Sequence, residues 1–237
     1  MKFSVVLLSF FLLAFTSEAQ LGKLKKSLDK AIGGNGKLST EEVAKGLKEA
    51  LLKGTGKGTD KASKQDGYFK NSLIKILFPP DARKVETKLR QVGMGKQVDR
   101  FILSLNRAAE KAAKEAKPIF ITAIKSMTIK DAWGILKGED DAATQYLDRT
   151  TSNQLFAKFN PIIKRSLDEV NATKYYTELI TAYNKIPMVE KKNPDLDKYA
   201  TDKSIDGLFS LIAQEEANIR KNPGARTSDL LKKVFSQ

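Results

Sequence analysis

Apolar side chains recur at three- and four-residue steps along most of this chain, and that spacing commits it to amphipathic helices. The longest case runs from Gln97 to Lys117, where Val98, Phe101, Ile102, Leu105, Ala109, Ala112, Ala113 and Ala116 share one broad face. Its alanine-rich half lets a neighbouring helix approach closely. Pro118 then starts or kinks a continuation to Met127. Ser39 and Glu42 form a capping box ahead of Val43, Leu47, Ala50 and Leu51, and Gly54 ends that helix. Pro80-Asp81 opens a helix to Val92, with Gly93 after its end.

The second half reads the same way. Thr128 and Asp131 make another capping box, for a short helix that Gly138 terminates. Glu139-Asp140-Asp141 places negative charge before a helix carrying Ala142, Ala143, Tyr146 and Leu147, where the helix dipole favours it. Further helices are expected over 152–170, interrupted at Asn160-Pro161, and over 173–185. Thr201 or Asp202 caps one running to Arg220, and Thr227-Ser228-Asp229 opens the last. Leu73 to Phe78 is the one stretch that also fits a strand. The expected fold is therefore all-α, a single compact bundle of roughly ten helices over residues 38–237.

Before that domain, Lys2, an apolar run from Val5 to Phe15 and the small residues Ser17 and Ala19 have the three parts of a secretory signal. The apolar run is shorter than the roughly 20 residues of a membrane-spanning helix. Cleavage after Ala19 is expected, giving an exported chain, periplasmic or secreted and soluble. With no cysteine near the cut, a lipid-anchored mature end is not available. Residues 20–37 then form an amphipathic or flexible segment. Leu21, Leu24, Leu28, Ala31 and Ile32 line one side, and Lys23, Lys25, Lys26 and Lys30 make it the candidate membrane-surface contact. A frayed or packed helix is the other reading.

The chain has no cysteine and no histidine. An exported chain without disulfides must draw its stability from the core. The same two absences exclude a thiol nucleophile, a Ser-His-Asp relay, an imidazole base and a Cys/His zinc site. Carboxylate acid/base work, a Ser–Lys pair and oxygen-only cation binding remain. The net charge of +14, from 42 basic and 28 acidic residues, favours an acidic partner: an anionic membrane surface or an envelope polymer. Nucleic acid is not expected, because aromatic residues are not interleaved with a basic stripe.

Candidate chemistry is sparse. Gly54-Thr55-Gly56-Lys57-Gly58-Thr59 fails as a phosphate loop, since Gly58 follows Lys57 and a helix precedes it, so a flexible connection is expected. Asp195-Leu196-Asp197 lacks the glycine and closing glutamate of a calcium loop. Adjacent carboxylates at Asp140-Asp141 and Glu215-Glu216 point about 100° apart on a helix, so neither doublet flanks a bond by itself. No metal or cofactor site is expected, and no catalytic residue is assigned. Arg107 with Glu110 and Glu216 with Arg220 stand at spacings that share a helix face. An inward cluster of Arg107, Glu110, Asp131, Thr144, Tyr146 and Arg220 is the candidate polar pocket, the other reading being surface pairs with Asp131 as a cap.

Several phrases together resemble one family. They are Asn106-Arg107-Ala108-Ala109-Glu110, Asp131-Ala132 with Ile135-Leu136-Lys137-Gly138, and Ala142-Ala143-Thr144 with Tyr146. Asp206-Gly207-Leu208-Phe209, Glu215-Glu216, Ile219-Arg220, Asn222-Pro223 and Leu230 to Phe235 follow. Their order and spacing resemble the bacterial family catalogued as domain of unknown function 4197, from about Leu38 to Phe235. The resemblance implies a bacterial, exported, helical protein and brings no activity with it. Members with a lipid-anchoring cysteine at the cut are familiar in that family, and this sequence departs from them.

The function expected is a non-catalytic envelope protein that binds an acidic or amphipathic partner through a basic face. The alternative is a carboxylate-dependent hydrolase of an envelope polymer. Lacking disulfides and Cys/His metal sites, the protein is expected to unfold at the same temperature with and without reductant or EDTA. A melting temperature lowered by EDTA would reveal an oxygen-ligand cation site.

Overall fold

In the computed structural model, which describes residues 38–236 apart from 186, 189 and 194, the helical periodicity becomes nine α-helices and two 3-10 turns. They are α1 (Thr40–Ala62), a turn at Pro80–Ala82, α2 (Arg83–Gln91), α3 (Gly95–Ala113), α4 (Ala116–Ser126) and α5 (Ile129–Leu136). Then come α6 (Ala142–Asp168), α7 (Ala172–Asn184), α8 (Leu196–Lys221), a turn at Pro223–Ala225 and α9 (Asp229–Val234). No strand occurs among the described residues, and the all-α class holds. The signal segment and Lys23, Lys25, Lys26 and Lys30 lie outside the described residues.

The bundle is organised by α6. Its buried positions include Ala143, Leu147, Thr151, Leu155, Phe159, Ile163 and Leu167, one at every fourth residue. A helix turns about 100° per residue, so each such step carries the stripe about 40° further round the axis. A winding stripe serves several neighbours in turn, and α3, α4, α5, α7 and α8 all pack on α6. The break expected at Asn160-Pro161 does not occur, and α6 is continuous with Pro161 inside it. A proline in a helix costs about 3 kcal/mol. Phe159 and Ile163, fully buried on either side, return roughly 1.5–3 kcal/mol each. Packing therefore outweighs the local preference.

Helix α1 also corrects the sequence reading. It runs through Gly54 and the glycine-rich stretch to Ala62, where a flexible connection was expected. Gly46, Ala50, Gly54, Gly58 and Ala62 form a four-residue ridge of small buried residues, beside a second ridge of Val43, Leu47, Leu51, Thr55 and Thr59. The small ridge permits close approach. A Cβ at Gly58 would lie 3.2 Å from the Ile212 side chain of α8, and one at Gly46 would lie 2.7 Å from Val234 of α9. Each glycine costs a helix about 1 kcal/mol in propensity, which this packing offsets.

Two further boundaries moved. Helix α8 begins at Leu196, capped by the Asp195 side chain accepting the Lys198 N–H at 2.8 Å. Thr201, expected as a cap, lies inside the helix and donates to the Asp197 carbonyl at 2.7 Å. Leu196 and Ala200 are fully buried, so core contact extends the helix over an earlier turn. Leu73–Phe78 has the alternation of a strand, with Ile74, Ile76 and Phe78 buried and Leu73 and Leu77 exposed, yet it pairs with no strand.

Glycines of opposite surroundings test this packing. Gly207 of α8 has Tyr68 Cε1 at 2.8 Å and Ile74 Cβ at 3.1 Å from where a Cβ would sit, and Tyr68 is held by its hydroxyl on the Ser204 carbonyl at 2.5 Å. Gly56 has nothing within 4 Å. In urea unfolding, Gly207→Ala is expected to lose about 1–3 kcal/mol by overpacking. Gly56→Ala is expected to gain about 0.5–1 kcal/mol from helix propensity.

Candidate functional site

Five of the six polar residues anticipated from sequence are distributed over two buried clusters and a helix cap, and Tyr146 stands apart from them. The first cluster grows from α3, whose Asn106, Arg107 and Glu110 face the non-helical segment between Ser63 and Pro79. Glu110 is buried, and its Oε1 accepts the backbone N–H groups of Tyr68 and Phe69 at 3.1 and 3.2 Å. Its other oxygen accepts from Arg107 at 2.6 Å, and Arg107 reaches on to Asp66 at 2.6 Å. Asp66 stands at φ 66°, a left-handed turn conformation. Hydrogen bonds from Lys70, then Arg107, hold its carboxyl below the usual range.

Asn106 completes this clamp. Fully buried, it accepts the Ile76 N–H at 2.9 Å and donates to the Ile76 carbonyl at 2.7 Å. One side-chain amide thus gives Ile76 the two hydrogen bonds that a neighbouring strand would supply, which is why the alternating segment needs no sheet. Phe78 packs on Phe101 at 4.9 Å between ring centroids and fixes the far end. In the sequence, Asp66 and Asn106 carry no periodicity or charge-spacing signal that would mark them as site residues.

The second cluster lies where α8 meets the start of α6. Glu216 accepts the Ala143 and Thr144 N–H groups at 3.0 and 2.8 Å and the Thr144 hydroxyl at 2.8 Å. Those two amides belong to the first turn of α6 and have no partner within the helix, so a carboxylate 72 residues away caps it. Arg220 holds Glu216 at 2.8 Å and donates to the Ile135 carbonyl near the end of α5, also at 2.8 Å. Glu216 and Arg220 are both largely buried, so each needs the other.

Asp131 belongs to neither cluster. It closes the capping box of α5, accepting from the Thr128 N–H at 2.9 Å and its hydroxyl at 2.7 Å while Thr128 accepts the Asp131 N–H at 3.1 Å. Those bonds hold its carboxyl below the ordinary range, so acidification weakens the cap. Tyr146 lies beside Arg149, and burial raises its phenol. Among the described residues, no hydrogen bond or ion pair joins Arg107–Glu110 to Glu216–Arg220, and no group of carboxylates is placed to hold a metal ion.

The hollows match this inventory. A cavity of about 20 Å³ beside Glu216 and Arg220 has room for about one water. An open groove of about 550 Å³ crosses α6 and α8, with Asp148, Ser152, Phe156, Tyr199 and Asp202 along it. Its carboxylates are engaged: Asp148 by Ser152, Asp202 by Lys198 at 2.6 Å, and Asp206 by Lys203 at 2.8 Å.

These clamps make an unequal double-mutant prediction. Glu216→Ala and Glu110→Ala each strand buried donors and an arginine, and are expected to cost about 3–5 kcal/mol in urea unfolding. Arg107→Ala leaves Glu110 with two backbone donors and is expected to cost less, about 1.5–3 kcal/mol. The Arg107→Ala/Glu110→Ala double variant should be less destabilised than the sum of its parts. Additive losses below about 1 kcal/mol would mean that the α3 clamp does not hold.

A family model described as a protein of unknown function, DUF4197, matches residues 37–236. No curated protein and no solved structure matches the chain. The match takes in every described helix, including both clamps, and the chain belongs to this family of proteins of unknown function.

Proposed function

We propose that this is an exported envelope protein that binds an acidic partner through its basic surface and carries out no chemistry of its own. The observation that supports it most is a set of unpaired cations at both ends of α3. At the C-terminal end, Arg107 of α3 pairs with Asp66 at 2.6 Å, and Lys117 at the start of α4 pairs with Asp60 of α1 at 3.4 Å. Between those two pins Lys61, Lys64, Lys111 and Lys114 are exposed, and none has an ion-pair partner among the described residues. At the N-terminal end, Lys88, Lys96 and Arg100 are in the same position. A rigid body presenting surplus positive charge suits an anionic surface or polymer.

The hydrolase reading has less support. Glycoside hydrolysis needs two carboxyls flanking a bond. Here the buried carboxylates cap helices and hold turns, and those in the groove are each taken by a neighbour on the same helix. The lysines at 23, 25, 26 and 30 add charge in the segment that follows the proposed signal.

Two measurements test the reading. N-terminal sequencing of the native protein is expected to begin at Gln20 or Leu21, and an intact Met1 would remove export. The mature protein is expected to bind dextran sulfate or phosphatidylglycerol vesicles at low ionic strength and to release as salt shortens the screening length, about 8 Å at 0.15 M. Failure to bind either anion at low salt would end the proposal.

A further inference from the structure

We infer that the α2–α3 hairpin is a membrane-contact element, with Val92 and Met94 entering the headgroup layer of an anionic bilayer and the surrounding cations binding its phosphates. The inference rests on the acidic-partner reading above and names both the partner and the face.

The hairpin is built to hold apolar side chains in water. At the end of α2, Gly93 takes φ +84°, the Met94 N–H bonds to the Leu89 carbonyl at 2.9 Å, and the Gly93 N–H bonds to the Arg90 carbonyl at 3.1 Å. This is the hydrogen-bonded glycine turn that closes a helix with a left-handed residue. It fixes the tip, so the exposure of Val92 at 70 % and Met94 at 39 % follows from a defined turn. Leu89 and Val85, one and two turns back, pack against the core and anchor α2. The rest of α2 faces outward, and none of its residues is fully buried.

Charge is sorted in the same sense. Between Arg83 and Arg100 the acidic residues are Glu86 and Asp99, and both converge on Arg90, at 3.0 and 2.9 Å. That double ion pair ties α2 to α3, and the six basic and two acidic residues from Arg83 to Arg100 leave the hairpin a net charge of +4. Arg83, Lys84, Lys88, Lys96 and Arg100 remain exposed, with no ion pair among the described residues. The nearby Glu190, which feels the charge of Lys84, is itself paired with Lys192 at 2.8 Å. Exposed apolar residues ringed by cations are the signature of interfacial membrane elements, whose apolar side chains enter the headgroup boundary while lysine and arginine stay outside. An acidic soluble polymer would match the cations and leave Val92 and Met94 without a partner, which is why the bilayer is favoured.

The absence of cysteine allows a direct test. Val92→Cys in the chain from Gln20 to Gln237 takes an environment-sensitive fluorophore at one position. Lys111→Cys, near the other end of α3 and about 24 Å along that helix from Gly95, is the control. With phosphatidylglycerol vesicles at low salt the label at 92 is expected to shift to the blue and the label at 111 to stay in water. Vesicles of phosphatidylcholine alone should shift neither. Lys88→Gln with Lys96→Gln, checked for fold by circular dichroism, should weaken vesicle binding roughly 25-fold, at roughly fivefold per basic residue near an anionic surface.

A protein that sediments with vesicles while the label at 92 stays in water would overturn the hairpin and leave the acidic-partner reading intact. So would binding to dextran sulfate without binding to vesicles. Vesicle binding lost on removing residues 20–36, with the hairpin unaltered, would move the contact to the N-terminal segment and overturn the inference. Binding to neither anion would bring down both.

Discussion

The four-residue step of buried positions on α6 is the constraint from which the bundle follows. A helix meant for one partner keeps its apolar residues on one line, near the 3.6-residue repeat. Here Ala143 to Leu167 advance by fours, the line winds, and five helices find places along it. A chain without disulfides needs such a shared centre, because no covalent link holds peripheral elements to the core. The four-residue ridges of α1 do the same work by a different means, trading side-chain volume for close approach to α8 and α9.

Polar groups enter this core to solve a backbone problem. The segment from Ser63 to Pro79 and the helix ends between α5 and α6 leave main-chain groups without partners, and buried groups of that kind are costly. Glu110, Asn106 and Arg107 serve the first place, and Glu216 and Arg220 the second. Each buried carboxylate therefore carries an arginine on one side and backbone amides on the other. The oxygens of Glu110 and Glu216 are taken up by backbone and guanidinium donors and serve the fold.

On the surface the ion pairs neutralise every acid they reach and leave positive charge over. Arg90 draws in both acids of the α2–α3 hairpin, Lys117 ties α4 to Asp60 of α1, and Arg107 ties α3 to Asp66. Lys88 and Lys96 are left over near one end of α3 and Lys111 and Lys114 near the other, with Lys45, Lys130, Lys158 and Lys174 exposed elsewhere. Exposed charges of this kind add little to stability. Their physical consequence is a local potential that attracts anions.

Composition and periodicity alone determined that the protein is helical, and that cysteine and histidine chemistry is closed to it, since both follow from residue type and spacing. The Thr128–Asp131 capping box and the Gly93 stop were equally legible, because a cap is made by residues three or four apart. The course of the chain through Gly54–Thr59 and Asn160-Pro161 was not. Glycine and proline break helices by local preference, and only the neighbours at Ile212, Phe159 and Ile163 make the continuous helix the better solution. The candidate polar site divides along the same line. Pairs within one helix, Arg107–Glu110 and Glu216–Arg220, could be read from spacing. That Glu216 caps α6, or that Asn106 stands in for a strand beside Ile76, depends on residues far apart in sequence. Such partners are chosen by tertiary packing, because a buried amide takes whichever acceptor the fold brings within reach.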